Sequence, residues 1–89
     1  MFRVRWQRQA ADELTDLWTR ASSVQRRAIT RASHLVEQRL RTDPSNEGES
    51  RPDGRRITFA LPLAVTFRVE ADGQTVSVLE VRLLRRRQS

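Results

Sequence analysis

No cysteine and no tyrosine occur among the 89 residues, and each of the 17 Lys/Arg positions is an arginine, so lysine is missing too. Without cysteine there is no disulfide scaffold, no thiolate-ligated zinc or iron–sulfur centre and no cysteine nucleophile. The single histidine, His34, has no metal-ligand spacing around it, so neither a metal nor a cofactor is expected. No apolar run approaches the roughly 20 residues that span a bilayer. The opening Met1-Phe2-Arg3-Val4-Arg5-Trp6 lacks the apolar segment of a secretory signal. A cytoplasmic protein with no membrane partner is the default expectation. The chain is too short for two hydrophobic cores, so residues 1–89 read as one domain.

What the chain does have is positive charge. Against 11 acidic residues it carries a formal net charge of +6. On so short a chain that favours an anionic partner, nucleic acid or an acidic protein. Guanidinium groups bind phosphate and carboxylate as planar forks. Exclusive use of arginine is also what a GC-rich genome produces, so the net charge carries this expectation and the missing lysine does not.

The apolar pattern changes period along the chain. Phe2, Val4 and Trp6 alternate with Arg3 and Arg5, the period-2 signature of a half-buried strand. Ala10, Ala11, Leu14, Leu17, Trp18 and Ala21 then recur at helical spacing. Ser22 with Gln25 reads as a capping box that opens a second helix, whose stripe is Ala28, Ile29, Ala32, Leu35, Val36 and Leu40. Pro44 disfavours helix at Asp43, so this helix ends near Thr42. The short link predicts an antiparallel helix hairpin. Residues 43–54 are polar, turn-rich and aperiodic, and are expected to be partly mobile. Three strand patterns follow. In the first, Ile57, Phe59 and Leu61 are read as inward and Arg56, Thr58 and Ala60 as outward. In the second, Leu63, Val65, Phe67 and Val69 alternate with Ala64, Thr66 and Arg68. Asp72-Gly73 is a tight-turn signal before the third, Thr75 to Leu83. There Val76 and Val78 face opposite to Leu79, Val81 and Leu83. Either both faces are covered or a bulge shifts the register.

The expected fold class is therefore α+β, two-layer, β-α-α-β-β-β. An antiparallel helix hairpin packs on one face of an antiparallel sheet, because each element has one apolar face to bury. The expected core includes Phe2, Val4, Trp6, Leu14, Leu17, Trp18, Ile29, Leu35, Val36, Phe59, Val65 and Phe67. The arginine-rich tail 85–89 is expected to fray.

The element order, together with a series of short phrases, resembles the RelE/ParE superfamily of bacterial toxins. The phrases are Val4-Arg5-Trp6, Ala11-x-x-Leu14-x-x-Leu17-Trp18, Leu40-x-x-Asp43-Pro44, Gly48-Glu49-Ser50-Arg51, Gly54-Arg55-Arg56, Pro62-Leu63-x-Val65-x-Phe67-Arg68-Val69 and Val76-x-Val78-x-x-Val81. They cover almost the whole chain. The resemblance implies the toxin half of a toxin–antitoxin pair, or a degenerate relative, neutralised by a cognate acidic antitoxin. It implies one of two activities, cleavage of messenger RNA on the ribosome or inhibition of DNA gyrase by binding.

The resemblance also implies where a nuclease site would lie. The ribosome-dependent members place an arginine near the start of the middle meander strand, which falls at or near Ala64 here. They place an aromatic or histidine near the C-terminus, yet nothing after Phe67 is either. Arg85 matches a further basic position, and Glu49 matches a carboxylate base used by some members. The candidate catalytic residues are thus Glu49, Arg68 and Arg85. Arg51, Arg55, Arg56, Arg68, Arg82, Arg85 and Arg86 are the candidate RNA- or partner-binding residues. Strand parity puts Arg56, Arg68 and Arg82 on the sheet face away from the helices. Glu70 and Glu80 read as cross-strand partners of arginines. Arginine has too high a pKa to serve as a base. The missing acid–base groups therefore shift the expectation toward a binding inhibitor directed at gyrase or ribosome. A ribosome-dependent endoribonuclease is the alternative. A stand-alone nucleic-acid-binding module is a further one, without an evident base-reading motif or exposed aromatic stack.

Overall fold

A computed structural model describes residues 1–84. The chain runs β1 (Arg3–Trp6), α1 (Arg8–Arg20), α2 (Ser23–Thr42), β2 (Glu49–Ser50), β3 (Arg56–Ala60), β4 (Leu63–Val69) and β5 (Thr75–Leu83). Single 3-10 turns at Pro44–Asn46 and Pro52–Gly54 flank β2, inside the stretch that is aperiodic in sequence. Among the described residues no helix is long and apolar enough to cross a membrane. The candidate residues Arg85 and Arg86 lie outside the described residues, as does the tail in which they stand.

Local chemistry sets the helix boundaries. The Ser22 hydroxyl accepts from the Gln25 N–H at 3.2 Å, and the Gln25 side-chain oxygen accepts from the Ser22 N–H at 3.0 Å. Two otherwise unpaired backbone donors are satisfied in this reciprocal cap. Ser22→Ala should lower the unfolding free energy by about 1 kcal/mol. Urea denaturation checks this, and Ser22→Asn should recover most of the loss. The helices form an antiparallel pair. Trp18 of α1 lies under Arg26 of α2, and Leu14 and Trp18 share a groove with Ile29, Thr30 and Ser33.

The two helices pack on a five-stranded sheet in the order β1-β5-β4-β3-β2. β3, β4 and β5 form the expected antiparallel meander. The sheet as a whole is mixed, because β1 joins β5 in parallel, with Val4 opposite Val76 and Trp6 opposite Val78. Parity along a strand reports which side chains are buried and is silent on strand direction. The direction of β1 follows from the crossover through both helices. β4 and β5 shift register between Thr66 and Phe67. Thr66 lies opposite Glu80 and Phe67 opposite Val78, leaving Leu79 as the extra residue. Of the two readings the imperfect alternation leaves open, the bulge is the one present. It turns Val76, Val78 and Val81 all toward the helices, so neither Val76 nor Val78 reaches the open face.

The core joins Ile29, Ala32, Val36 and Leu40 of α2 to Leu63, Val65, Phe67, Val76, Val78 and Val81 of the sheet. Phe2, Val4, Trp6, Leu14 and Leu17 pack against it, partly buried. Three expected core residues are instead exposed: Trp18 at 43%, Leu35 at 39% and Phe59 at 44%. Trp18 and Leu35 each sit one helical step, about 100°, beyond the stripe residues Leu17 and Val36. Phe59 is displaced by register. Ala60 pairs with Leu63 across the two-residue Leu61-Pro62 link, so Arg56, Thr58 and Ala60 share the helix-covered face with Leu63, Val65 and Phe67. The inward and outward sets of β3 are therefore the reverse of the expectation. Ile57 and Phe59 lie on the open face, and Arg56 does not.

Candidate functional site

The open face of the sheet is built in rows across the strands. Arg68 on β4 lies opposite Ser77 on β5, and Ser77 lies opposite Arg5 on β1. Arg82 on β5 lies opposite Ala64, which lies opposite Phe59 on β3. Between these rows run Glu80, Thr66, Ile57 and Glu49. Arg68 and Arg5 enter no ion pair among the described residues, nor does Arg55, which is exposed.

The remaining candidate arginines among the described residues, Arg51, Arg56 and Arg82, are engaged. Arg82 binds Glu13 at 3.2 Å and also Glu80, so two carboxylates match its one charge. Its partner Glu80 is thus two residues away on the same strand and not across it. Arg51 binds Glu49 at 3.0 Å. Arg56 donates to the carbonyls of Glu47 at 2.8 Å and Gly48 at 3.1 Å, stitching the loop to β3. Gly48 allows that stitch. Its φ is +67°, and a Cβ there would sit 2.1 Å from the Ile57 carbonyl oxygen. Among the predicted catalytic residues, Glu49 and Arg68 share the open face but not a row. Strand spacing and rise separate their backbones by roughly 12 Å. His34 lies on α2, in the other layer. At the far end of the β4–β5 hairpin, Asp72 accepts from the backbone N–H groups of Gln74 and Thr75 and from the Thr75 hydroxyl. These bonds, that from Gln74 first, hold its carboxyl below the ordinary carboxylate range.

A second surface has no counterpart among the sequence expectations. Leu17, Val24, Leu61, Pro62, Leu83 and Leu84 line an open apolar groove of about 820 Å³ between the helix turn and the end of the sheet. Val24 is 72% and Leu61 77% exposed. Arg20 stands at its rim, and the sequence continues from Leu84 into Arg85-Arg86-Arg87. An exposed Leu61 next to Pro62 was the available signal, masked by its reading as the inward end of β3.

The sequence matches no protein-family model and no curated protein sequence. The fold has clear counterparts among solved structures. A chromosomal ParDE toxin–antitoxin system from P. aeruginosa is similar with a TM-score of 0.67 and 18% identity, over 96% of this chain and 98% of that one. The toxin–antitoxin complex RelBE2 from Mycobacterium tuberculosis is similar with a TM-score of 0.71 and 18% identity, over 92% and 96%. The isolated RelE toxin of E. coli has a TM-score of 0.56 and 16% identity, over 99% and 89%. The chain has the RelE/ParE fold.

Within the RelE/ParE fold, the resemblance expects a catalytic arginine at or near Ala64. Ala64 is 5% exposed and is flanked by Phe59 and Arg82 in its row. The carboxylate nearest in role, Glu49, is tied to Arg51. Among the described residues, no group of three histidine or acidic side chains converges as a metal site would require. Among the described residues, the open face of this RelE/ParE fold offers Arg5 and Arg68 free of ion pairs, while its carboxylates Glu49 and Glu80 are each paired with an arginine.

Proposed function

We propose that this protein is the toxin of a toxin–antitoxin pair that acts by binding its cellular target rather than by cleaving RNA, with an acidic antitoxin as its inhibitor. One observation carries the reading. On the open face Arg5 and Arg68 enter no ion pair among the described residues, and the resemblance expects a catalytic arginine at or near Ala64, where the start of the strand carries none. Attack by a 2′-hydroxyl needs a base for the proton and an acid for the leaving oxygen, besides charge on the phosphorane. Binding needs only the charge. An anionic assembly, the ribosome or gyrase on DNA, suits such a face, and both are cytoplasmic. The apolar groove supports the antitoxin half of the proposal. A segment with leucine-like side chains on one side would fill it, its polar side turned to solvent beside the Arg20–Asp16 pair. Of the other candidates, Arg55 is exposed and free of ion pairs among the described residues and widens this basic surface. Arg51, Arg56 and Arg82 are held within the fold, and Arg85 and Arg86 lie outside the described residues.

Induced expression separates this from the nuclease reading, in which Glu49 is the base and Arg68 and Arg85 stabilise the phosphate. Growth arrest should persist in Glu49→Gln, and ribosome-bound messages should stay intact in both proteins. Loss of a true general base lowers a rate by about 10²–10⁴. Message cleavage that vanishes with Glu49→Gln would restore the enzyme. Co-expression of the small acidic protein expected from the neighbouring reading frame should relieve the arrest and co-purify.

A further inference from the structure

Trp18 is exposed on the helix layer, and its surroundings are organised. Arg26 lies over the indole with its guanidinium carbon 4.4 Å from the ring centroid. The same guanidinium donates to the carbonyls of Trp18 at 2.9 Å and Thr19 at 3.0 Å, the last turn of α1. It is thus anchored by the helix end it caps and holds the ring in place. Beside this stack, Arg27, Thr30, Arg31 and His34 line a shallow recess of about 440 Å³. Residues 27, 31 and 34 fall on one helical face at i, i+4 and i+7. Among the described residues no carboxylate lines the recess.

The charge pattern is unlike that elsewhere on the helices. Arg8, Arg20 and Arg41 each have a carboxylate four residues away. Arg27 and Arg31 have each other at that spacing, a repulsive pair that weakens an isolated helix. Neither enters an ion pair among the described residues. An anion in the recess would relieve that repulsion.

We propose that this face is a binding site for single-stranded nucleic acid. An unpaired base stacks on Trp18, and the flanking phosphates are held by Arg27 and Arg31, with His34 as a further donor. The aromatic ring selects this occupant. An acidic peptide would match the arginines but gains little from an indole already braced by a guanidinium. A base presents a flat face to it, and stacking of this kind tolerates any base. The site lies in the layer opposite the open sheet face. It stands whether or not the protein is a toxin.

Binding of a fluorescein-labelled oligouridylate of about ten nucleotides, within the usual range of such sites, to the full chain at low salt tests this. Anisotropy reports affinity, and tryptophan fluorescence reports stacking. Trp18→Ala should weaken binding about 10-fold or more, and Trp18→Phe should retain most of the affinity. Arg27→Gln with Arg31→Gln should lower the slope of log K against log salt by about 1.4. Helical circular dichroism confirms that each variant is folded. Unchanged affinity in Trp18→Ala would overturn the proposal. So would a salt slope insensitive to Arg27 and Arg31 that falls with Arg5→Gln and Arg68→Gln. A polyglutamate of equal length that binds as tightly and quenches the tryptophan equally would overturn it in favour of a protein partner.

Discussion

Phe67→Ala should lower the unfolding free energy by about 3–5 kcal/mol, the largest effect expected of any single substitution in this chain. Phe67 is fully buried on β4, opposite Val78 and beside the bulge that brings Val76, Val78 and Val81 to one face. Truncation removes the transfer free energy of the ring and leaves a void that packed neighbours fill only in part. A domain of this size has a total stability of only about 4–13 kcal/mol, so much of the margin is at stake. Phe67→Leu keeps most of the volume and should cost less than about 2 kcal/mol. The adjacent Arg68 belongs to the same strand, so loosening of β4 also blurs the open face. Urea denaturation of both variants is the measurement. A loss under 1 kcal/mol for Phe67→Ala would contradict the packing described.

Outside the apolar core, Glu13→Ala should also be damaging, at about 2–3 kcal/mol. β1 pairs with β5 only from Thr75 to Val78, and β5 then runs on with that edge uncovered. Glu13 reaches in from α1. One carboxylate oxygen accepts from the Val81 N–H at 2.9 Å, and the other binds Arg82 at 3.2 Å. The side chain acts as a substitute neighbouring strand for one residue. Removing it leaves a partly buried backbone donor without a partner, the costly kind of loss. Glu13→Gln keeps an acceptor for Val81 while dropping the charge, and should cost only about 1 kcal/mol. Glu13→Ala also frees a strand edge for pairing with other molecules. Concentration-dependent association in sedimentation experiments should accompany its loss of stability. A Gln variant as unstable as the Ala variant would show that the charge, and not the backbone hydrogen bond, is what matters.

The candidate site was less legible than the fold. Arg68 was placed correctly on the open face, because β4 alternates cleanly from Leu63 to Val69. Arg82 was also placed there, yet nothing local signalled that Glu13, 69 residues earlier, would hold it. Nothing near Arg5 in sequence signals its place on this face, because its neighbour Ser77 comes from the other end of the chain. Arg56 was misassigned for a physical reason. Large apolar side chains in β3 suggested one parity, whereas the two-residue link to β4 imposes the other. Register outranks hydrophobicity there, since one residue of slip would turn the whole strand over. Ile57 and Phe59 accept partial exposure as the consequence.

By itself, the sequence determined the features that rest on near neighbours. The Ser22–Gln25 cap, the helix stop before Pro44, the Asp72-Gly73 turn and the β-α-α-β-β-β run of main elements all depend on residues within a turn or two of each other; the short edge strand β2, in the aperiodic stretch, was not legible. The exclusion of disulfides and of cysteine chemistry depends on composition alone, which no fold can alter. Only the tertiary structure decided the parallel docking of β1, the reversed faces of β3, and the exposure of Trp18 beside Arg27 and Arg31. Each is a choice between arrangements that local patterning leaves nearly equal in energy. Such choices are settled by closure of the core, where α2 has room for Thr58 and Ala60 but not for Phe59, and where a stripe centred on Leu17 leaves Trp18 on the outside.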